Sequence, residues 1–184
     1  MREIPASEVA AGVAEVLLAP LGDRWSHTSS VAAKAKELAK TVSVNDRELL
    51  VVSAWWHDLG YAPQLARTGF HPLDGARFLA DGGYPTRLCA LVAHHSAAMF
   101  EAKERGLSEQ LAPWMQEEGA VADALWMADM TTVPNGEPKS YPDRLTEILE
   151  RYGRDSIVGR AMLNARPVVE TAIGRTEFRL AEAC

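Results

Sequence analysis

The stretch Asn45-Asp46-Arg47-Glu48-Leu49-Leu50-Val51-Val52-Ser53-Ala54-Trp55-Trp56-His57-Asp58-Leu59-Gly60 decides how this chain folds. Asn45 followed three residues later by Glu48 is a capping-box-like helix start, and Leu49 to Trp56 is apolar or small on every side, so the helix has no face for water. Gly60 ends it. A central, buried helix therefore delivers His57 and Asp58 into the interior. A buried carboxylate without a partner costs roughly 3–5 kcal/mol, and a cation between the two side chains removes that cost. Neutral imidazole is the commonest protein ligand for transition metals, so the pair reads as half of a metal site.

Working outward, the neighbours are helical too. All five histidines, His27, His57, His71, His94 and His95, fall in the first 95 residues. Ser7 caps a first helix that must stop by Pro20, and Val31, Ala35, Leu38 and Ala39 mark a second over Trp25–Lys40 with His27 in its first turn. Pro72 stands in a first helical turn with His71 before it as N-cap, and the helix Pro72–Asp81 is closed by Gly82-Gly83. Pro85 opens another that runs past His94 and His95. Glu101 to Glu118, with Leu107, Leu111, Trp114 and Met115 among charges, reads as a core-packing helix or, alternatively, as a partner surface. Ala120–Met130 is an apolar helix carrying Asp129 and a solvated Asp123. Thr131 to Pro142, holding Pro134, Asn135-Gly136 and Pro138, reads as a loop that either merely connects or brings Lys139 over a substrate. Two C-terminal helices follow, interrupted around Pro167. With no alternating strand pattern and no repeat, the expectation is one all-α domain over 1–184. Its motif core is about 24–132, and helices at 140–182 pack on it.

Composition narrows the function. A chain of 184 residues buries roughly two thirds of its extended surface, so it needs no metal merely to fold. A net charge of −6 argues against a partner such as duplex nucleic acid or an acidic membrane surface. Cys89 and Cys184 form no disulfide framework, and a cytoplasmic location is the default expectation. Val9 to Leu18, interrupted by Glu15, reads as a helix and not a signal peptide, and no apolar run approaches the ~18 residues a bilayer span requires. Oligomeric state is not legible.

The order of the ligand-type residues leads to a family. His27, then His57-Asp58, then Asp129 in Ala128-Asp129-Met130, all on helices, resembles the HD superfamily of metal-dependent phosphohydrolases over about Arg24 to Thr132. Arg24-Trp25-Ser26-His27 looks like its first motif, His57-Asp58-Leu59-Gly60 its doublet and Leu125-Trp126-Met127-Ala128-Asp129 its last. His71-Pro72-Leu73-Asp74-Gly75-Ala76 and Val92-Ala93-His94-His95 look like the extra histidines of the dinuclear branch. The resemblance implies one divalent ion on His27, His57, Asp58 and Asp129, and a second on His71 and His94 with Asp58 bridging. The metal is open among Fe, Mn, Ni, Co, Zn and Mg. Gly83-Tyr84-Pro85 precedes His94, whereas cyclic-dinucleotide phosphodiesterases of the superfamily carry that triplet after their paired histidines. Tyr61 stands where those enzymes have a lysine, so their substrate is not assigned.

The implied chemistry is hydrolysis of a phosphate monoester or diester of a nucleotide or other small metabolite by metal-bound hydroxide. Asp58, Arg24 and His95 are the catalytic candidates. Arg24 suits a substrate phosphate because guanidinium binds phosphate oxygens bidentately, and Lys34, seven residues after His27, shares its face as a second substrate contact. His95 can orient a water or donate to the leaving group. Between His94 and His95 the residues are ambiguous. Neighbours diverge by about 100° on a helix, and the motif comparison favours His94 while the apolar series Leu88, Leu91, Val92 continues onto His95. Two other functions share the same ligands: an HD-type di-iron oxygenase, and a non-catalytic binding or regulatory module that keeps metal for stability.

Overall fold

Helix α3, Arg47–Trp56, is walled in by four others: α1 (Ser7–Leu18), α2 (Asp23–Leu38), α5 (Thr86–Ala93) and α8 (Ala120–Met130). The computed structural model describes residues 2–133, 135 and 137–183; Pro134 and Gly136 of the expected loop, and Cys184, lie outside the described residues. Leu50, Val52, Ala54 and Trp56 of α3 have no exposed surface, as the absence of a polar face requires. The start of α3 departs from expectation. Glu48 does not reach back to its own helix; its carboxylate accepts the backbone N–H of Ser7. Ser7 is thus the first residue of α1 and not its cap, and one acidic side chain satisfies an orphan donor of a neighbouring helix.

Beyond α3 the chain makes a tight turn, Leu59–Tyr61, against which α4 (His71–Asp81) packs. The approach is so close that a Cβ on Gly60 would lie 2.0 Å from the carbonyl oxygen of His71 and 2.8 Å from the nitrogen of Gly75. Only a residue without a side chain fits there, so Gly60 sets how near the His71 end of α4 comes to Asp58. Asp74 clamps the intervening loop: its carboxylate accepts from the backbone N–H groups of Arg67 (3.0 Å) and Thr68 (3.0 Å) and from the Thr68 hydroxyl (2.9 Å).

α5 stops at Ala93 and does not continue through the two histidines. His94 has left helical geometry, and Ser96 and Ala97 take φ of 51° and 59° before α6 (Met99–Glu104) begins. The expected helix over 101–118 is two short ones, α6 and α7 (Ser108–Leu111), parted at Gly106, whose φ of 69° a helix cannot hold. Leu111 still packs with Phe70, Leu73, Ala76 and Ala102, so this segment does cover core.

The C-terminal helices are α9 (Tyr141–Tyr152), with the Ser140 hydroxyl accepting the Asp143 N–H, and α10 (Ile157–Glu182). The interruption falls at Gly153, φ 86°, and not at Pro167, which sits inside α10 on an exposed face where water can satisfy the carbonyl it leaves unbonded. α10 lies along α8 and α6, and Trp126, Met130, Leu145, Ile148, Met162 and Val169 form a second apolar cluster behind α8. Asp123 of α8 is buried, not solvated, and accepts from Arg175 and Arg179 of α10. The fold is all-α: among the described residues there is no strand, only an isolated bridge between Thr132 and Pro138. None of the described helices is long and apolar enough to cross a membrane.

Candidate metal centre

Five segments converge on one point. The first turns of α2 bring Arg24 and His27, the end of α3 brings His57 and Asp58, the first residue of α4 is His71, the turn after α5 brings His95 and Ser96, and the last turn of α8 brings Asp129. Three of the imidazoles are held in the same way. Nδ1 of His57 donates to the carbonyl of Ala54 (2.7 Å), Nδ1 of His95 to that of Val92 (2.7 Å), and Nδ1 of His27 to that of Val133 (3.3 Å). Each bond fixes ring orientation and leaves Nε2 to face the carboxylates, the arrangement that supports metal-ligating histidines.

Those Nε2 atoms fall into two groups. His27, His57 and Asp129 bring their ligand atoms within 4.8 Å of one another, and Asp58, His71 and His95 do the same. In the first, Asp129 Oδ1 lies 2.9 Å from His27 Nε2 and 3.8 Å from His57 Nε2. In the second, Asp58 Oδ1 lies 3.2 Å from His71 Nε2 and 3.9 Å from His95 Nε2. The other oxygen of Asp58, Oδ2, turns to the first group, 3.3 Å from His57 Nε2 and 3.8 Å from His27 Nε2. One carboxylate therefore faces both groups. His57 Nε2 is fully buried and makes no hydrogen bond, an unpaired donor atom of the kind a metal ion completes.

The electrostatics agree. Burial works against charge on His57, but the carboxylates of Asp58 and Asp129 outweigh it and push the imidazole up to about 9. Asp58 is held well below the usual carboxylate range: burial opposes this, and Arg24 and His57 overcome it. Asp129 is likewise lowered, against burial, by the hydrogen bond from His27 and by His57. His95 is pushed down to about 3 by burial and then by His71 and His57, and its Nε2 lies 3.1 Å from Nε2 of His71.

A model of the HD domain matches residues 24–133, more than half of the chain. The chain belongs to the HD-domain family. Members of the family are mostly metal-dependent hydrolases, and the two His/Asp groups of this HD domain could hold divalent metal. No curated protein and no solved structure matches the chain.

Two of the residues read from the sequence stand elsewhere in this HD domain. His94 is turned away: its Nε2 donates to the carbonyl of Trp114 at 2.7 Å, and His95 occupies the position expected for it. The reason is the break after Ala93, which replaces helical stagger with a turn and swings His95 inward. Lys34 does share a face with His27, but two turns along α2 it pairs with Glu37 at 3.0 Å and borders a separate groove together with Lys139 and Tyr141. Arg24 is where expected. Its Nη1 lies 2.6 Å from Asp58 Oδ2, which outweighs its partial burial and raises its pKa. His71 is the first residue of α4, not its cap, and its ring faces the cluster.

Three participants carry no readable sequence signal. Ser96 donates its hydroxyl to Asp129 Oδ2 from a left-handed backbone conformation. The Val133 carbonyl orients His27 from 106 residues away. Tyr61 stacks on His71 with centroids 3.9 Å apart and receives the Arg24 guanidinium at 4.0 Å from its ring centre. Two planar groups that close cannot share a face, so Tyr61 is sandwiched between them.

Proposed function

We propose that this HD domain is a metal-dependent phosphohydrolase acting on a small phosphate ester. The observation that carries the reading is Asp58, whose two oxygens face two separate histidine groups, one of them containing the unpaired His57 Nε2. His27, His57 and Asp129 would hold one divalent ion and His71 and His95 a second, with Asp58 shared. Ions so held act as Lewis acids on phosphoryl oxygens and lower the pKa of a coordinated water toward ~7.

The chain's own residues supply the rest. Arg24 is the cation placed for an ester phosphate: it lies at the rim of the cluster, 24 % of its side chain exposed, held in direction by Asp58 and by the ring of Tyr61. Carbonyl bonds at Nδ1 keep His27, His57 and His95 from turning as charge develops. No serine, cysteine or lysine nucleophile is required of the protein. The cavity over the cluster is about 250 Å³, below the ~300–1,000 Å³ of pockets that enclose drug-sized ligands, which favours a compact metabolite over a dinucleotide.

The test is elemental analysis of the purified protein together with release of p-nitrophenol from p-nitrophenyl phosphate and its bis ester, wild type against Asp58→Asn. About two metals per chain with hydrolysis lost in the variant supports the reading. Metal-replete protein that hydrolyses neither ester overturns it.

A further inference from the structure

The cavity over the His–Asp cluster is not closed by the HD motif region alone. Its far wall is α9 and the start of α10, outside the matched residues, and that wall contributes Arg144, Ile148, Arg151 and Met162. Arg144 and Arg151 stand seven residues apart, two helical turns, and so share a face of α9. Glu147 between them holds both: its Oε2 accepts from Arg144 Nη1 at 2.7 Å and its Oε1 from Arg151 Nη2 at 2.6 Å. One carboxylate thus orients two guanidiniums and leaves the trio with net positive charge. Arg144 is 8 % exposed, yet its Nε–H has no hydrogen-bond partner. A buried guanidinium N–H without an acceptor is costly and uncommon, and Arg144 is one of the residues that line the cavity.

We infer that Arg144 and Arg151 form a second anion subsite facing the His–Asp cluster, so that the substrate is a small phosphate ester bearing a further anionic group, carboxylate or phosphate, at its other end. The inference rests on the reading of the cluster as the place where the ester phosphate binds. Arginine suits such a role because its planar donors meet carboxylate and phosphate oxygens in pairs. The apolar side chains of Ile148 and Met162, which line the same cavity, fit a short carbon skeleton. A cavity of about 250 Å³ limits that skeleton to a few carbons.

Metal-loaded protein is assayed for phosphate release from two matched compounds, glycerol 3-phosphate and 3-phosphoglycerate, and for binding of each by calorimetry. A second bisphosphate comparison uses 2,3-bisphosphoglycerate. The expected result is a preference in kcat/KM of at least tenfold for the compounds with the extra anion. That ratio falls about tenfold in Arg151→Gln, mainly through KM. Because Arg144 is buried and its loss threatens folding, Arg144→Lys is used beside Arg151→Gln, with the thermal midpoint as a check. Hydrolysis of p-nitrophenyl phosphate with no preference for the second anion, or a preference that both variants keep, overturns the subsite and leaves the hydrolase reading standing. If no ester is hydrolysed, the hydrolase reading fails and calorimetry decides the subsite. Tighter binding of 3-phosphoglycerate that Arg151→Gln abolishes supports it, and equal binding of the two compounds overturns it.

Discussion

Helix α8 buries two carboxylates, six residues apart and so pointing to different sides, and the protein treats them in opposite ways. Asp123 is met by cations of the chain itself: Arg175 Nε at 2.9 Å and Arg179 Nη1 at 2.8 Å, both from α10. Asp129 is met by an imidazole and a hydroxyl, His27 and Ser96, with a second carboxylate, Asp58, 3.8 Å from the same His27 Nε2. Among the described residues, Arg24 is the one arginine paired with that two-carboxylate cluster. Both aspartates are buried, but only around Asp123 does the fold bring enough arginine to balance the charge. The difference teaches where a cation belongs: burial of acid marks either site, and the shortfall of protein cations marks the one built for metal.

The largest effect that sharpens this contrast is at Asp58. Asp58→Asn removes the carboxylate shared by both groups, and turnover is expected to fall by about 10³-fold or more, the scale of losing a preorganised charge at a reacting centre. Bound metal by elemental analysis falls with it, while circular dichroism stays helical. Retained activity would mean that Asp58 belongs with Asp123 as a structural acid. His95→Ala is next, with metal affinity expected to weaken by at least about 10–100-fold, measured by competition with a chromogenic chelator. On the other side of α8, the double change Arg175→Ala with Arg179→Ala leaves Asp123 buried without its cations. The expected loss is about 3–5 kcal/mol, or roughly 10 °C in the thermal midpoint of a chain this size. Asp123→Asn costs less, about 1–2 kcal/mol, since the two arginine side chains are 51 % and 28 % exposed and can turn to water. Metal content is unchanged in both. If these variants lost metal instead, the two ends of α8 would not be independent.

Much of this contrast was legible in the sequence, and the failures share a cause. The apolar run Leu49–Trp56 read as a buried helix because hydrophobic periodicity reports burial directly, and His27, His57-Asp58 and Asp129 were located by motif order along that frame. Asp123 read as solvated because its arginines lie 52 and 56 residues away on α10, and no local pattern announces them. The sequence pattern puts Glu48 in a capping box of its own helix, whereas a tertiary contact with Ser7 takes it. Pro167 looked like a break because proline removes a helical hydrogen bond, but on an exposed face that loss is small, and Gly153 with positive φ makes the turn instead. The arginines of α9 were invisible as a site, since only the packing of α9 and α10 over α8 brings them to the cavity.

His94 supplies the smallest effect and the sharpest control, because it differs from His95 by one position and helical stagger alone did not separate the two. Its Nε2 bond to the Trp114 carbonyl ties the end of α5 to the chain beyond α7, and burial lowers its pKa, so the ring is neutral and donates only through that nitrogen. His94→Ala leaves the Trp114 carbonyl without its donor, which costs about 1–2 kcal/mol, and it also removes a buried Nδ1 that has no partner, which returns part of that loss. The expected outcome is a thermal midpoint lower by about 2–6 °C with metal content and hydrolysis retained. The break after Ala93 is what makes the two histidines unequal. Loss of metal in His94→Ala at an intact fold would therefore place the break elsewhere and return the helix to the continuous form its sequence pattern describes.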